Sequence, residues 1–256
     1  MPPKEVEFFM AVYVLNRQRV MRGFILIGLG LLVLAWGFWF DRTLRRTAPA
    51  SAMQPVYQGS GQQKEVALTV NVFWGEEYIP RMLAVLQEEK VPATFFIGGQ
   101  WAEQYPALVR EIARRGNEIG SHGYAHPHPD QLSVADNIND IRRAEEILTK
   151  INGTRPQLYA PPYGEHGSAV LQAAADTGYR TILWSVDTID WQKPSPEVIH
   201  QRVLGRVHNG AIILMHPTAP TVEALPGLIR ELKRQGYRPV TVSTLLKHME
   251  GEKQGG

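Results

Sequence analysis

Two rhythms of apolar positions alternate between Lys64 and Lys247. Short apolar or β-branched runs at residues 66–73, 93–97, 118–121, 158–160, 181–186, 211–215 and 239–242 have the length and residue types of strands. Helical spacing fills most of the intervals. Ser133 and Asp136 form a capping box, and Val134, Ile138, Ile141, Ala144, Ile147, Leu148 and Ile151 then recur three and four residues apart. A second helix is expected from Trp101 to Arg115, ended by Gly116. Strands alternating with helices imply an α/β protein with a parallel sheet, in which chemistry collects at the C-terminal ends of the strands.

One stretch breaks this rhythm. Residues 23–40, GFILIGLGLLVLAWGFWF, carry no charge, and as a helix they would span ~27 Å against a hydrocarbon core of ~30 Å. Trp36, Phe38, Trp39 and Phe40 crowd one end as an aromatic belt would, and Arg17, Arg19 and Arg22 flank the other. A core helix is rarely apolar on every side. Ala50-Ser51-Ala52 has the form of a signal-peptidase site, but Arg42, Arg45 and Arg46 and a long gap separate it from the apolar run. The reading is therefore an uncleaved transmembrane signal-anchor at 23–40, after a short segment 1–22. A linker rich in Ala, Pro, Gly, Ser and Gln follows at 41–63, then the domain at 64–249 and a disordered tail at 250–256. Basic residues flank the anchor on both sides, so they do not orient it.

Composition then removes whole classes of function. With 27 Lys+Arg against 25 Asp+Glu, a formal charge of +2, there is no concentrated basic face to make nucleic acid the partner. The chain has no cysteine, which excludes thiol nucleophiles, thiolate metal sites and a disulfide framework.

Candidate chemistry lies at the expected strand ends. After the third strand come His122 and His126, four residues apart, a spacing that converges on one metal if the stretch is a helical turn. After the fourth is the rigid loop Ala160-Pro161-Pro162-Tyr163-Gly164. After the fifth are Trp184, Asp187, Asp190 and Trp191, and the sixth ends in His216. Each piece alone reads equally well as a polar turn, a cap or a structural histidine.

Their order resembles the polysaccharide deacetylase family, that is, carbohydrate esterase family four or the NodB homology domain. The VPATFFIGG, ARRGNEIGSHGYAH and GAIILMHP segments are similar to it as well. The anchor followed by this domain resembles the membrane-associated, sporulation-type branch. The resemblance implies a distorted (β/α)7 barrel that removes N-acetyl groups from peptidoglycan or chito-oligosaccharides. It also implies a divalent metal (zinc, cobalt or manganese) that lowers the pKa of its bound water from 15.7 towards ~7. On the same grounds His122 and His126 are the metal-binding histidines and His216 the proton donor to the leaving amine. Asp187 or Asp190 supports His216, the Tyr163 amide lies at the oxyanion, and Pro162, Tyr163, Trp184, Trp191 and Trp74 contact sugar. The substrate class places the barrel outside the cell membrane, with a single-pass anchor.

The first motif departs from that pattern. Where the family has TFDD, this chain has Thr69-Val70-Asn71-Val72. Asn71 stands at the catalytic base, and an amide cannot accept the proton of an attacking water. Val72 stands at the metal-ligand carboxylate and coordinates nothing, which weakens the metal site. Ala160 replaces the arginine that pairs with the base, so Asn71 and Ala160 read as one coupled loss, since an unpaired buried arginine would cost about 3 kcal/mol or more. Glu76, Glu77 and His128 are the candidates for a substitute ligand. Two readings follow: a hydrolase of reduced activity, or a catalytically inactive glycan-binding or structural envelope protein on the same barrel.

Overall fold

The computed structural model describes residues 53–254 and, in the N-terminal segment, Gly30. Apart from Gly30, the anchor expected at 23–40 lies outside the described residues. Among the described residues no helix is long and apolar enough to cross a membrane.

Eight parallel strands form one sheet: β1 (Glu65–Val72), β2 (Thr94–Ile97), β3 (Glu118–Ser121), β4 (Leu158–Tyr159), β5 (Arg180–Thr181), β6 (Val186–Asp187), β7 (Ala211–Met215) and β8 (Arg238–Val240). The order is β5-β4-β3-β2-β1-β7-β6, and β8 pairs with β1 off this path. β7 pairs with Val66 to Val70 of β1, so β8, at Glu65 to Ala67, and β2, at Thr69 to Val72, share the opposite edge.

The run expected as a single strand at 181–186 is two strands at opposite ends of this order. Five Cα steps join Thr181 to Val186, a reach of at most about 18 Å. The two sheet edges therefore lie close together and the sheet is curled. Part of the stretch expected as a linker fills the seam. Val56 N donates to Thr181 O (2.9 Å), Leu183 N donates to Val56 O (2.8 Å) and Gly59 N donates to Gly210 O (2.8 Å). The composition of 41–63 was linker-like because a short bridging segment needs backbone groups rather than apolar side chains.

Helices α1 (Ile79–Glu88), α2 (Gly99–Gln104), α3 (Pro106–Arg114), α4 (Val134–Asn152), α5 (Ser168–Asp176), α6 (Pro196–Leu204), α7 (Ala219–Arg234) and α8 (Val242–Gln254) complete the described chain. The helix expected over 101–115 is broken at Tyr105 (φ −125°, ψ 51°), because Pro106 drives the residue before it out of the α region. α4 begins as its sequence predicts: Ser133 Oγ accepts from Asp136 N, and Gly153 closes the helix in the left-handed region. α8 runs to Gln254, so residues 250–254 are helix and not the disordered tail expected there.

Strand alternation divides the core. Val66, Leu68, Val70 and Val72 of β1 face an apolar layer shared with α1, α3 and α7. On the opposite face, Ala67 joins Phe96, Leu158 and Ile212 in a second cluster with Val242, Leu245 and Leu246 of α8. The same register carries Thr69 and then Asn71 along that inner face, and Asn71 reaches a cleft at the C-terminal ends of the strands.

Candidate active site

The cleft has a volume of about 500 Å³, within the ordinary range for ligand sites. β1 and its following loop supply Asn71, Phe73 and Trp74, the loop after β3 gives His122 and His126, and the loop after β4 gives Tyr163 and Gly164. Trp184 precedes β6, and Asp187 and Trp191 lie at and beyond its end; Leu214 and His216 come from β7 and its C-terminal end. Of the predicted site residues, only Pro162 and Asp190 are absent from its lining. Pro162 is buried under its loop and leaves Tyr163 exposed at the tip; it does not contact the cleft as expected.

Asp190 is buried behind His216. Its Oδ1 accepts from His216 Nδ1 (2.8 Å), and its Oδ2 accepts from His216 N (2.6 Å) and Thr221 Oγ1 (2.6 Å). Of the two carboxylates left open by the sequence, Asp190 is therefore the one paired with His216. Because Nδ1 donates to a carboxylate, the free Nε2 of His216 is the atom available at the cleft. The Trp74 ring lies parallel to the imidazole, with centroids 6.0 Å apart. Asp187 instead accepts from Ile189 N (2.8 Å) and steadies the turn that delivers Asp190. Ile189 sits there at φ +50°, an unfavourable region for a β-branched residue, and Arg202 Nη1 donates to Thr188 O (2.8 Å) to hold it.

His122 and His126 come together, with ring centroids 4.9 Å apart. The expected helical turn is not what does it. The loop is irregular, with Gly123 at φ +75° and His126 at φ +55°, and the half-buried Asp140 carboxylate holds it by accepting from Tyr124 N (2.8 Å) and Ala125 N (3.1 Å). Burial raises the pKa of Asp140. His122 Nδ1 donates to Ala160 O (2.6 Å), which fixes the tautomer and leaves Nε2 as an acceptor. Desolvation, with the neighbouring His126 adding repulsion, pushes the His122 pKa down to about 3, and burial lowers that of His126 as well.

The donor set does not fit a divalent ion. Among the described residues no three His, Cys, Asp or Glu side chains gather around one point. Val72 packs in the helix-facing layer and does not reach the cleft. None of the substitute ligands takes its place: Glu76 accepts from Tyr105 (3.0 Å), Glu77 is exposed, and His128 donates to Glu165 (2.7 Å) while stacking on Tyr163 (4.0 Å between centroids). Asn71 is buried and its Oδ1 has no hydrogen-bond partner.

Some contributors were not expected from the sequence. Thr221 in α7 donates to Asp190, Phe73 packs 4.8 Å from the His126 ring, and the Ala160 carbonyl orients His122. Phe73 had a signal, being next to the first motif. A backbone carbonyl and a helix threonine distant in sequence had none.

Fold and cleft together define the class: a curled parallel α/β fold with an Asp-supported histidine and exposed aromatic rings at the strand ends. The polysaccharide deacetylase family profile matches residues 58–182. A peptidoglycan-N-acetylglucosamine deacetylase of Bacillus cereus is 36% identical over 196 residues, covering 75% of this chain and 71% of the relative. The chain belongs to the polysaccharide deacetylase family. The uncharacterized Bacillus subtilis protein YlxY is 43% identical over 193 residues, which are 75% of this chain and 60% of YlxY's own length. Among solved structures, BA3943 of Bacillus anthracis, a CE4 family pseudoenzyme, matches with a TM-score of 0.74 and 39% identity, covering 75% of this chain and 68% of that one.

Proposed function

We propose that this chain is a membrane-anchored deacetylase-family hydrolase whose cleft takes N-acetylated glycan of the peptidoglycan or chito-oligosaccharide type and removes acetyl groups slowly. Its family and relatives support the reaction class, acting on non-peptide carbon–nitrogen bonds. The retained chemistry is the Asp190–His216 pair. Asp190 holds the imidazole with Nδ1 protonated and stabilises its cationic form. His216 can then pass a proton from Nε2 to a leaving amine. Exposed Trp74, Tyr163 and Trp191 offer faces for sugar rings.

What is missing is the acceptor for the proton of an attacking water. The orphaned amide of Asn71, where a carboxylate would be needed, is the observation that limits the rate. Loss of one general base lowers turnover by about 10²–10⁴-fold. No step through a metal is derived, because the donors present do not assemble one. Val72 in the apolar layer favours the second reading, a glycan-binding envelope protein without turnover.

The deciding experiment measures acetate release and oligosaccharide binding together, on N-acetylated chito-oligosaccharides and peptidoglycan with and without zinc. Slow release that disappears in His216→Ala supports the hydrolase. Binding with no acetate, even at high protein concentration, leaves the binding protein. The anchor at 23–40 and the substrate class support an extracytoplasmic barrel, which protease protection of intact cells against permeabilised ones tests.

A further inference from the structure

We propose that the cleft holds a hexosamine unit with a free, protonated amino group more tightly than the corresponding N-acetylated unit. The inference rests on the reading of the cleft as a saccharide site.

The chemistry of the lining carries it. Among the described residues, no lysine or arginine lines the cleft, and Asp187 is its lining carboxylate. Asp187 uses Oδ1 on Ile189 N, which leaves Oδ2 for a ligand. The floor offers an acceptor in His122 Nε2, because Nδ1 is committed to Ala160 O. Around it stand the faces of Trp74, Tyr163 and Trp191, exposed by 43%, 57% and 56%.

An ammonium has three N–H donors and one positive charge, so it satisfies acceptors, pairs with Asp187 and is attracted to aromatic faces. An acetamide carries no charge for Asp187 to pair with and offers it a single N–H. A carboxyl-bearing sugar would find no lysine or arginine and would be repelled by Asp187. The site thus matches the product of deacetylation better than its substrate.

The test is calorimetry on the full chain at pH 6 with chelator present, using tetramers of glucosamine and of N-acetylglucosamine. The glucosamine tetramer should bind about tenfold more tightly, as one added charge-assisted contact implies, and the preference should shrink in high salt. Asp187→Asn keeps the Oδ1 acceptor that Ile189 needs and should abolish the preference, while Trp191→Ala should weaken both ligands. Equal or tighter binding of the acetylated tetramer overturns the inference and leaves the saccharide site standing. Failure of both tetramers to bind overturns the saccharide reading itself. A preference that survives intact in Asp187→Asn puts the contact elsewhere and also overturns it.

Discussion

Three donors converge on Asp190, and of these Thr221 Oγ1 has a second partner in Thr218 Oγ1 (2.8 Å). Asp190→Ala leaves His216 N and His216 Nδ1 without their acceptor, and stranded donors make this one of the costlier single changes, about 3–5 kcal/mol. Urea unfolding of the variant checks the figure, and a loss under 1 kcal/mol would mean that the pair is not buried as described. His122 gives a pH signature. Its pKa is about 3 when folded, below the ordinary 6.5, so between those values the unfolded chain binds a proton that the folded chain refuses. Stability is present in full above pH 7 and falls as pH drops towards 3, by an amount on the order of 4 kcal/mol from this residue alone. His122→Gln should flatten that slope, with His126 and His216, which face it, left in place. At this scale, the order of short motifs already pointed to His122, His126 and His216. The choice between Asp187 and Asp190 was not legible, because both lie on one short turn and only the left-handed Ile189 decides which one turns inward.

Elements were read best where side chains dictate them. The capping box of α4 and the alternation of β1 match their sequence signals because local hydrogen bonding and burial act on the same residues. The seam of the sheet was misread for the opposite reason. Residues 182–185 are apolar enough to be a strand, but they cross a gap that Val56 and Gly59 close through backbone groups, which have no sequence signature. Tyr57 extends the seam towards the cleft by donating to His166 Nε2 (3.1 Å), while His166 Nδ1 donates to Gly164 O (2.7 Å). A chain beginning at Lys64 loses the three backbone bonds of Val56 and Gly59 and the Tyr57 hydroxyl bond, and keeps the one between His166 and Gly164. Four net hydrogen bonds at about 1 kcal/mol each predict a drop of about 8–16 °C in Tm relative to a chain beginning at residue 53. Calorimetric melting of the two chains distinguishes this from a passive linker, which would leave Tm unchanged.

At the scale of the whole molecule, the question is whether the barrel still accommodates the site it has lost. BA3943, which this chain resembles, is a pseudoenzyme for which a mutant with restored enzymatic activity is known. Here the three departures are not equivalent. Asn71 already lines the cleft, so Asn71→Asp adds a carboxylate where one can act. Ala160 is buried in the inner apolar cluster that also holds Ile182, so Ala160→Arg must repack that cluster to reach residue 71. Val72 is the hardest, because its side chain lies in the helix-facing layer among Val70, Ile97 and Met215. A carboxylate left there would cost about 3–5 kcal/mol, which in a domain of this size lowers Tm by roughly 6–20 °C. If residue 72 instead turns into the cleft, it completes an oxygen and two imidazoles, and zinc at a hundred times its Kd would return about 2.7 kcal/mol. We expect Asn71→Asp, Val72→Asp and Ala160→Arg together to melt low in chelator and to recover several degrees in zinc, while the parent chain shifts little. Equal zinc shifts in the two proteins would show that residue 72 stays in the apolar layer, and that the β1 backbone, as well as its side chains, has moved away from catalysis.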